Sequence, residues 1–395
     1  MRRVPATVPA AVVAVSLVLT GCTTFSSSST RHKAAASPST DPGSGPTKVQ
    51  PLKKALPAIE RFVERERGLR FKHPVKVELL GRRAFLKKLH GSQGAPKPAE
   101  VEQLTSTLAA LGLISAHLDV VKAFKKAYDA GTLGFYDFKD KRLYVRGTRA
   151  TPGVRAVLAH ELTHALDDQR FGLLRPKLRK DNQEKQLAFT ALGEGDAERT
   201  RVDYEATMTK ADRKVASREE GDQSKPPHVP QTVLILIAFP YIVGPQFVKA
   251  LFAHNGNNAI NAAFRSPPVS SEQLIDLQAY FSHDDPKPVA TPAADGVRVD
   301  HSNLGFIGLL LALGRHVGQT TARQAVAGWG GDQYATWRAG DHRWCLRDTV
   351  VMDYSAAAQI LDNALRKWVA SSNGRAHHLR VLQFLNVSAG SDQFR

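Results

Sequence analysis

Cysteine is nearly missing from this chain of 395 residues, which has only Cys22 and Cys345. If Cys22 is consumed by a covalent modification, Cys345 stands alone and no disulfide can form within the chain. A hydrophobic core must then hold the fold unaided. The hydrophobic content of 42% is sufficient for one large lobe or two smaller ones.

Several motifs are also missing. The chain has no GxSxG nucleophile motif, no P-loop, no dinucleotide fingerprint and no recognisable nucleic-acid motif. It also lacks an unbroken apolar run of the roughly 20 residues that a membrane helix needs. Val4 to Leu19 is short and contains two prolines, and Leu234 to Phe252 is interrupted by Pro240, Pro245 and Lys249. We expect the second stretch to form a buried helix pair or a cleft wall.

The first 21 residues read as an export signal. Arg2-Arg3 is followed by a short apolar region that ends in Leu-Thr-Gly-Cys at Cys22. This ending resembles the bacterial lipobox, in which the cysteine is lipidated and becomes the new N-terminus. The resemblance implies a protein anchored by lipid to the outer face of the bacterial cytoplasmic membrane. A plain secreted protein with an incidental cysteine is the alternative.

Composition divides the remaining chain. Residues 22–50 are rich in Ser, Thr, Pro, Gly and Ala, which predicts a flexible tether. Residues 51–370 are predicted to form the folded domain, with an N-terminal lobe to about residue 212 and a helical C-terminal lobe after it. Residues 371–395 form a polar tail.

Acidic residues are too few to balance the basic ones. Asp and Glu number 37 against 54 Lys and Arg, for a formal charge of +17, and basic residues concentrate in 48–90 and 175–180. An anionic membrane or cell-wall polymer is the natural partner of an exported basic surface, whereas export argues against nucleic acid. An ordinary solvated basic surface is an equal alternative.

One stretch carries the chemistry. His160-Glu161-Leu162-Thr163-His164 is an HExxH motif, which sets two imidazoles one above the other on a helix. Thr151-Pro152 and Gly172 supply a helix start and stop. Between them, apolar residues recur at helical spacing. The pattern predicts a helix with both histidines facing a cleft, and two histidines on an ordinary surface helix are the alternative.

A third metal ligand is expected downstream. Asp167 and Arg170 stand where a metzincin would have glycine and histidine, so that class is excluded. Glu194 is our predicted ligand, because two histidines and a glutamate leave an open position for water in catalytic zinc sites. Asp196 and Glu198 are competing ligands, or residues that orient a histidine.

The quoted residues resemble a known family. His160 to Ala165 reads HELTHA, which is similar to the active helix of the thermolysin-like gluzincins, zinc metallopeptidases. HELTHALDDQ, ALGEGDA, SSEQ at 270–273 and GWGGDQY at 328–334 are similar to a group of bacterial secreted, zinc-peptidase-like lipoproteins. The resemblance implies that Asp168 and Glu198 support the ligands from behind, although glutamate at 198 and Phe306 depart from the expected pattern.

The predicted fold is α+β, a mainly helical zincin-like domain with a small β-sheet before the HExxH helix. Leu133 to Tyr136 and Arg142 to Arg146 read as two strands around a polar turn. By the same resemblance, Leu143 to Arg146 is the sheet edge that pairs with an extended substrate, with an ordinary core hairpin as the alternative. Residues 210–225 are expected to form a surface loop, and Gly328 to Asp332 a tight turn.

These expectations combine into a function. The chain is predicted to be a membrane-anchored zinc peptidase in which His160, His164 and Glu194 hold Zn²⁺ and Glu161 is the general base. Tyr334 and His342 are candidates to stabilise the transition state, although simple packing would also account for them. The substrate is a peptide or protein, or else a peptidoglycan cross-link. The alternative from another class is a catalytically inactive zincin-fold lipoprotein, acting as an envelope scaffold or binding module.

Overall fold

The structure is a computed structural model that describes residues 49–94, 96–175, 183–223, 228–340 and 342–371. The predicted signal peptide, Cys22 and nearly all of the tether lie outside the described residues. Most of the second basic cluster and the polar tail from residue 372 lie outside them as well.

Helices dominate the described chain. They are α1 (Leu52–Arg67), α2 (Arg82–Gln93), α3 (Pro98–Ala110), α4 (Val120–Gly131), α5 (Pro152–Phe171), α6 (Gln183–Ala206), α7 (Lys210–Gln223), α8 (Gln231–Arg265), α9 (Ser271–Ile275), α10 (Leu277–Phe281), α11 (Gly305–Val317), α12 (Gln319–Val326) and α13 (Ser355–Ser371). The strands are β1 (Lys76–Leu80), β2 (Gly134–Asp137), β3 (Arg142–Arg146), β4 (Arg298–Ser302), β5 (Trp329–Arg338) and β6 (Trp344–Met352). The predicted α+β class is confirmed.

The first sheet has the order β1-β3-β2, with β3 parallel to β1 and antiparallel to β2. The predicted hairpin before the active helix is therefore present. The prediction that Leu143 to Arg146 forms the sheet edge is wrong, because β1 pairs with the far side of β3. Our sequence analysis did not recognise β1, so it left β3 at the edge.

Alternation along β3 explains how this sheet packs. Leu143 and Val145 face α1 and α5 in one apolar cluster. Tyr144, between them, points to the opposite face and packs with Phe85 and Leu89 of α2. The sheet is thus covered on both sides, and α5 lies directly against it.

Helix α5 begins and ends where its sequence predicts. Thr151 Oγ1 accepts a hydrogen bond from the Val154 N–H, and Pro152 occupies the first turn. Gly172 ends the helix with a φ of 66°. Glu219 of α7 adds a second cap, because its Oε2 accepts from the Gly153 N–H at 2.8 Å. The segment expected as a loop at 210–225 is largely this helix.

Helix α8 has the length and composition of a membrane span, with 44% of its apolar window buried inside the fold. It packs against α6 in a shared apolar cluster that includes Phe247, Val248 and Leu251. Pro240 and Pro245 lie within the helix, so the expected break into a pair at the prolines is wrong. The backbone leaves helical geometry instead at residues 255–256.

The second sheet has the order β4-β5-β6, and both of its pairings are antiparallel. An apolar cluster of α11, α12 and α13 lies beside it around the buried Trp329. The tight turn predicted from Gly328 to Asp332 is wrong, because β5 begins at Trp329. The register shifts between Trp329 and Gly331, so the glycines accommodate an irregularity at the start of a strand.

Candidate metal centre

The two histidines of α5 face the same point. His160 and His164 are four residues apart, and their Nε2 atoms lie 3.2 Å from each other. Their rings are edge to face, with centroids 4.9 Å apart. Both side chains are buried. The prediction that both imidazoles lie on one face of the helix is confirmed.

Helix α6 supplies the third group. Glu194 Oε2 lies 3.3 Å from Nε2 of His160 and 3.3 Å from Nε2 of His164. Ligand atoms of these three buried side chains all lie within 4.8 Å of one another. Asp196, a competing candidate, turns away from the histidines toward Arg67. The structure therefore assembles the predicted His-His-Glu group.

The electrostatics of the group favour a cation. Burial alone would raise the pKa of Glu194, but His164 and His160 outweigh it and lower that pKa to about 2. Burial alone would lower the pKa of His160, but Glu194 and Glu198 outweigh it and raise that pKa to about 10. The carboxylates thus stabilise positive charge at the point where the three side chains meet.

The spacing and the donors suit a metal ion. Tetrahedral zinc with bonds of roughly 2.0–2.1 Å places its ligand atoms about 3.3 Å apart. The three separations observed here are 3.2, 3.3 and 3.3 Å. Imidazole nitrogens and a single carboxylate favour zinc and similar transition metals over calcium or magnesium. This buried cluster could hold a metal ion.

No family model, curated protein or solved structure matches this chain. The gluzincin resemblance therefore stays a prediction that depends on the sequence motifs, and the geometry of the site has to be interpreted from its own residues.

Glu161 lies beside the three ligands with no exposed surface. Burial raises its pKa to about 7, although His160 and His164 act to lower it. The backbone N–H of Tyr136 also acts to lower this pKa, yet both carboxylate oxygens lack a hydrogen-bond partner. An unbonded carboxylate with a pKa near neutrality is suited to accept and release a proton.

Gly134 of β2 makes room for this carboxylate. A Cβ atom at position 134 would lie 2.6 Å from Cγ1 of Val157 and 3.2 Å from Oε1 of Glu161. Only glycine allows the strand to approach the helix so closely. Our sequence analysis missed this residue, although an isolated glycine within a strand is a known signal of close backbone approach.

Glu198 lies near the Nδ1 side of the His160 ring. Its Oε2 lies 3.7 Å from His160 Nδ1. Arg201 holds the same carboxylate through Nε at 2.8 Å and Nη2 at 2.6 Å. This two-point contact fixes the plane of the carboxylate. A role of Glu198 in orienting His160 stays a prediction.

Asp168 does not orient a histidine. Its carboxylate accepts hydrogen bonds from Tyr136 Oη at 3.2 Å, Lys141 Nζ at 2.6 Å and the Leu173 N–H at 3.0 Å. Nδ1 of His164 is buried without a partner. The prediction for Asp168 is therefore wrong: its contacts join the end of α5 to the β2–β3 hairpin instead.

Tyr334 and His342 lie outside the centre. Tyr334 Oη donates to Asp300 at 2.6 Å, and Thr107 of α3 donates to Tyr334 at 3.3 Å. His342 is exposed in the turn between β5 and β6, with a φ of 66°. Neither contacts the three ligands, so their predicted role in the cleft is wrong. The glycine-rich stretch before them belongs to the second sheet.

The centre is closed to solvent in this structure. All four residues of β2 are buried, as are the three ligands and Glu161. Helix α4 packs against the start of α8 in a small apolar cluster that includes Tyr128. Burial raises the pKa of Tyr128, and the charge of Glu194 adds to this effect. Helix α4 therefore brings Tyr128 within electrostatic reach of Glu194.

Proposed function

We propose that this protein is a zinc-dependent peptidase. The observation that carries the proposal is the position of Glu161, a fully buried carboxylate beside the His-His-Glu group. A purely structural zinc site has four protein ligands and needs no neighbouring base, whereas a catalytic site has three and leaves one position open.

His160, His164 and Glu194 would hold the zinc ion. When bound, zinc would polarise the carbonyl of the scissile peptide bond and lower the pKa of a water molecule. The chain's own contribution is the base. Glu161 would take a proton from the attacking water and return it to the leaving amine. No side chain of the described residues donates a hydrogen bond to either oxygen, so the carboxylate is available for these transfers.

Strand β2 is the edge strand of the first sheet next to the His-His-Glu group, although its residues are buried in this structure. The Leu133 carbonyl accepts from the Arg146 N–H at 2.8 Å, and the Asp137 carbonyl accepts from the Lys141 N–H at 2.8 Å. Because the groups of an antiparallel strand alternate, Gly134 and Tyr136 direct their backbone N–H and carbonyl groups away from β3. No strand of the described residues pairs with that side of β2. We assign β2, in place of β3, as the edge that would bind peptide.

The test is Glu161→Gln, which keeps the size of the side chain and removes the base. General-base catalysis contributes typically about 10²–10⁴-fold, so turnover of a cleaved peptide should fall by at least about that factor. Zinc content should stay near that of the wild type, whereas His160→Ala should lose zinc and activity together. Full activity of the Gln variant would refute the mechanism.

A second candidate is favoured by the closure of the site. Glu161 and all four residues of β2 are buried, so this structure is closed to a peptide. The closure favours a catalytically inactive zincin-fold lipoprotein that acts as an envelope scaffold or binding module. Incubation of the zinc-loaded protein with unfolded proteins and with purified cell wall separates the two. Zinc binding without cleavage of either substrate favours the scaffold.

We further propose that a lipid on Cys22 anchors the protein to the outer face of the bacterial cytoplasmic membrane. Cys22 lies outside the described residues, so the proposal depends on the lipobox-like sequence alone. Cys22→Ala should release the protein from the membrane fraction or leave its signal uncleaved. Unchanged fractionation would contradict the anchor.

A further inference from the structure

A fully buried arginine contacts both helices that carry the His-His-Glu group. Arg67 is the last residue of α1 and has no exposed surface. Its Nη2 lies 3.0 Å from Asp167 Oδ1, and its Nε lies 2.5 Å from Asp196 Oδ2. Both aspartates are fully buried as well. One guanidinium therefore contacts two carboxylates from two different helices.

The two carboxylates lie close in sequence to the candidate metal ligands. Asp167 follows His164 by three residues on α5, and Asp196 follows Glu194 by two residues on α6. The same cation thus bridges the two helices that carry the candidate ligands. A change in this bridge would alter the distance between the histidines and the glutamate.

The arginine is itself fixed in place. Its Nη1 donates to Asn257 Oδ1 at 3.1 Å, and its Nη2 donates to Asn261 Oδ1 at 3.1 Å. Asn257 Nδ2 in turn donates to the Glu66 carbonyl at 2.8 Å. Two asparagines of α8 therefore hold the end of α1 and the guanidinium together. The planar fork of arginine can make all these contacts, whereas the single ammonium of lysine cannot.

We propose that Arg67 is a positioning residue that sets the spacing of α5 and α6 and thereby the affinity of the His160-His164-Glu194 group for its metal. The inference rests on the proposed metal site and does not depend on hydrolysis. Outer partners that fix the ligands of a metal contribute about 10–100-fold to affinity. Arg67 acts in the same way, through the helices rather than through a ligand ring.

The chain offers a matched control on the same helix. Arg155 of α5 pairs with Asp212 of α7 at 3.0 Å, and both side chains are largely buried. This pair resembles the Arg67 contacts in chemistry and burial. It joins α5 to a helix that carries no ligand, so its loss should affect the stability of the fold and leave the spacing of the ligands unchanged.

The experiment measures zinc affinity in the full chain by competition with a chromophoric chelator. Arg67→Lys, Arg67→Met and Arg155→Met are compared with the wild type well below the unfolding temperature of each protein. We expect zinc to bind about 10–100-fold more weakly to both Arg67 variants and within about threefold of the wild-type affinity to Arg155→Met. The visible spectrum of bound Co²⁺ should change only in the Arg67 variants, because it reports the geometry of the ligands.

Two outcomes would overturn the inference, and they differ. If the Arg67 variants are less stable but keep the wild-type zinc affinity and Co²⁺ spectrum, the arginine only stabilises the fold. If the wild type itself binds no zinc, the metal site and the inference fail together. Should Arg67→Met not fold, Asn261→Ala takes its place, since it removes one support of the guanidinium and leaves the ion pairs intact. Normal zinc affinity in that variant and in Arg67→Lys would equally refute the positioning role.

Discussion

Helix α6 buries two glutamates in contrasting surroundings. Glu184, near its start, has one oxygen that accepts from both the N–H and the hydroxyl of Ser271 at 2.7 Å. Burial raises the pKa of Glu184 to about 7 despite these donors. Glu194, further along the helix, faces two imidazoles, and its pKa is lowered to about 2. Their side chains are 3% and 2% exposed, so burial does not distinguish them.

The difference shows what decides the charge of a buried carboxylate. Desolvation raises the pKa of both glutamates, and neutral donors such as the Ser271 groups offset it only in part. The histidines can carry positive charge, and this outweighs desolvation at Glu194. Of these two glutamates, only Glu194, in the middle of α6, is therefore placed to hold a metal ion.

The largest effect, on zinc affinity, should come from removing the negative charge of Glu194. Glu194→Gln replaces an anionic ligand with a neutral amide, so zinc affinity should fall by more than the roughly 10–100-fold that loss of an outer partner costs. Glu184→Gln, a matched change on the same helix, should bind zinc as the wild type does. Equal zinc affinities of the two variants in a chelator competition would abolish the contrast.

Glu184, near the start of α6, should make the stability of the fold depend on pH. As the pH rises from 4.5 toward 7, an unfolded chain releases the Glu184 proton while the folded chain retains it. The stability that this proton contributes is therefore complete below about pH 4.5 and lost above about pH 7, by about 1–3 kcal/mol. Glu184→Gln should flatten this part of the profile.

The profile is measured by urea unfolding at several pH values. Glu102→Gln, which changes an exposed glutamate of α3, is the control and should follow the wild type. A Glu184→Gln profile that also follows the wild type would mean that Glu184 is ionised in the folded chain at neutral pH.

A smaller effect is expected at the glycines on either side of Glu194. A Cβ atom at Gly195 would collide with the backbone of Gly244 on α8, whereas one at Gly193 would meet nothing within 4 Å. Gly195→Ala should therefore destabilise the fold by about 1–3 kcal/mol through overpacking. Gly193→Ala should stabilise it by roughly 0.5–1 kcal/mol, because alanine restricts the unfolded chain.

Urea unfolding of Gly195→Ala and Gly193→Ala measures both changes in stability. If the two alanine variants have equal stability, the backbones of α6 and α8 are not in close contact beside Glu194.

The His-His-Glu group that could hold a metal ion was largely predictable because its signals are local. Four-residue spacing places His160 and His164 on one face, and Thr151, Pro152 and Gly172 fix the limits of α5 by rules that act within a turn. Glu194 was found by a similar pattern of glutamate and glycine. The α+β class followed from the same kind of evidence, as did the β2–β3 hairpin.

The incorrect predictions for β3 and Tyr334 concern contacts between distant parts of the chain. Nothing near Arg142 to Arg146 indicates that β1 pairs beside it, so the edge of the sheet was assigned to β3. Tyr334 stands near glycines that resemble a site motif, yet strand pairing places it against Asp300. Arg67 is one of many basic residues in its region, and its burial depends on three helices that the sequence does not align.

The closed packing around Glu161 would weaken the apparent affinity for a peptide substrate. A peptide can bind only those molecules in which β2 and Glu161 are uncovered, so its apparent dissociation constant equals the intrinsic value divided by the open fraction. An open population of about 1% would weaken binding about 100-fold. Such a protein would cleave few freely diffusing peptides. It would act mainly on substrates that stay close to it until the site opens.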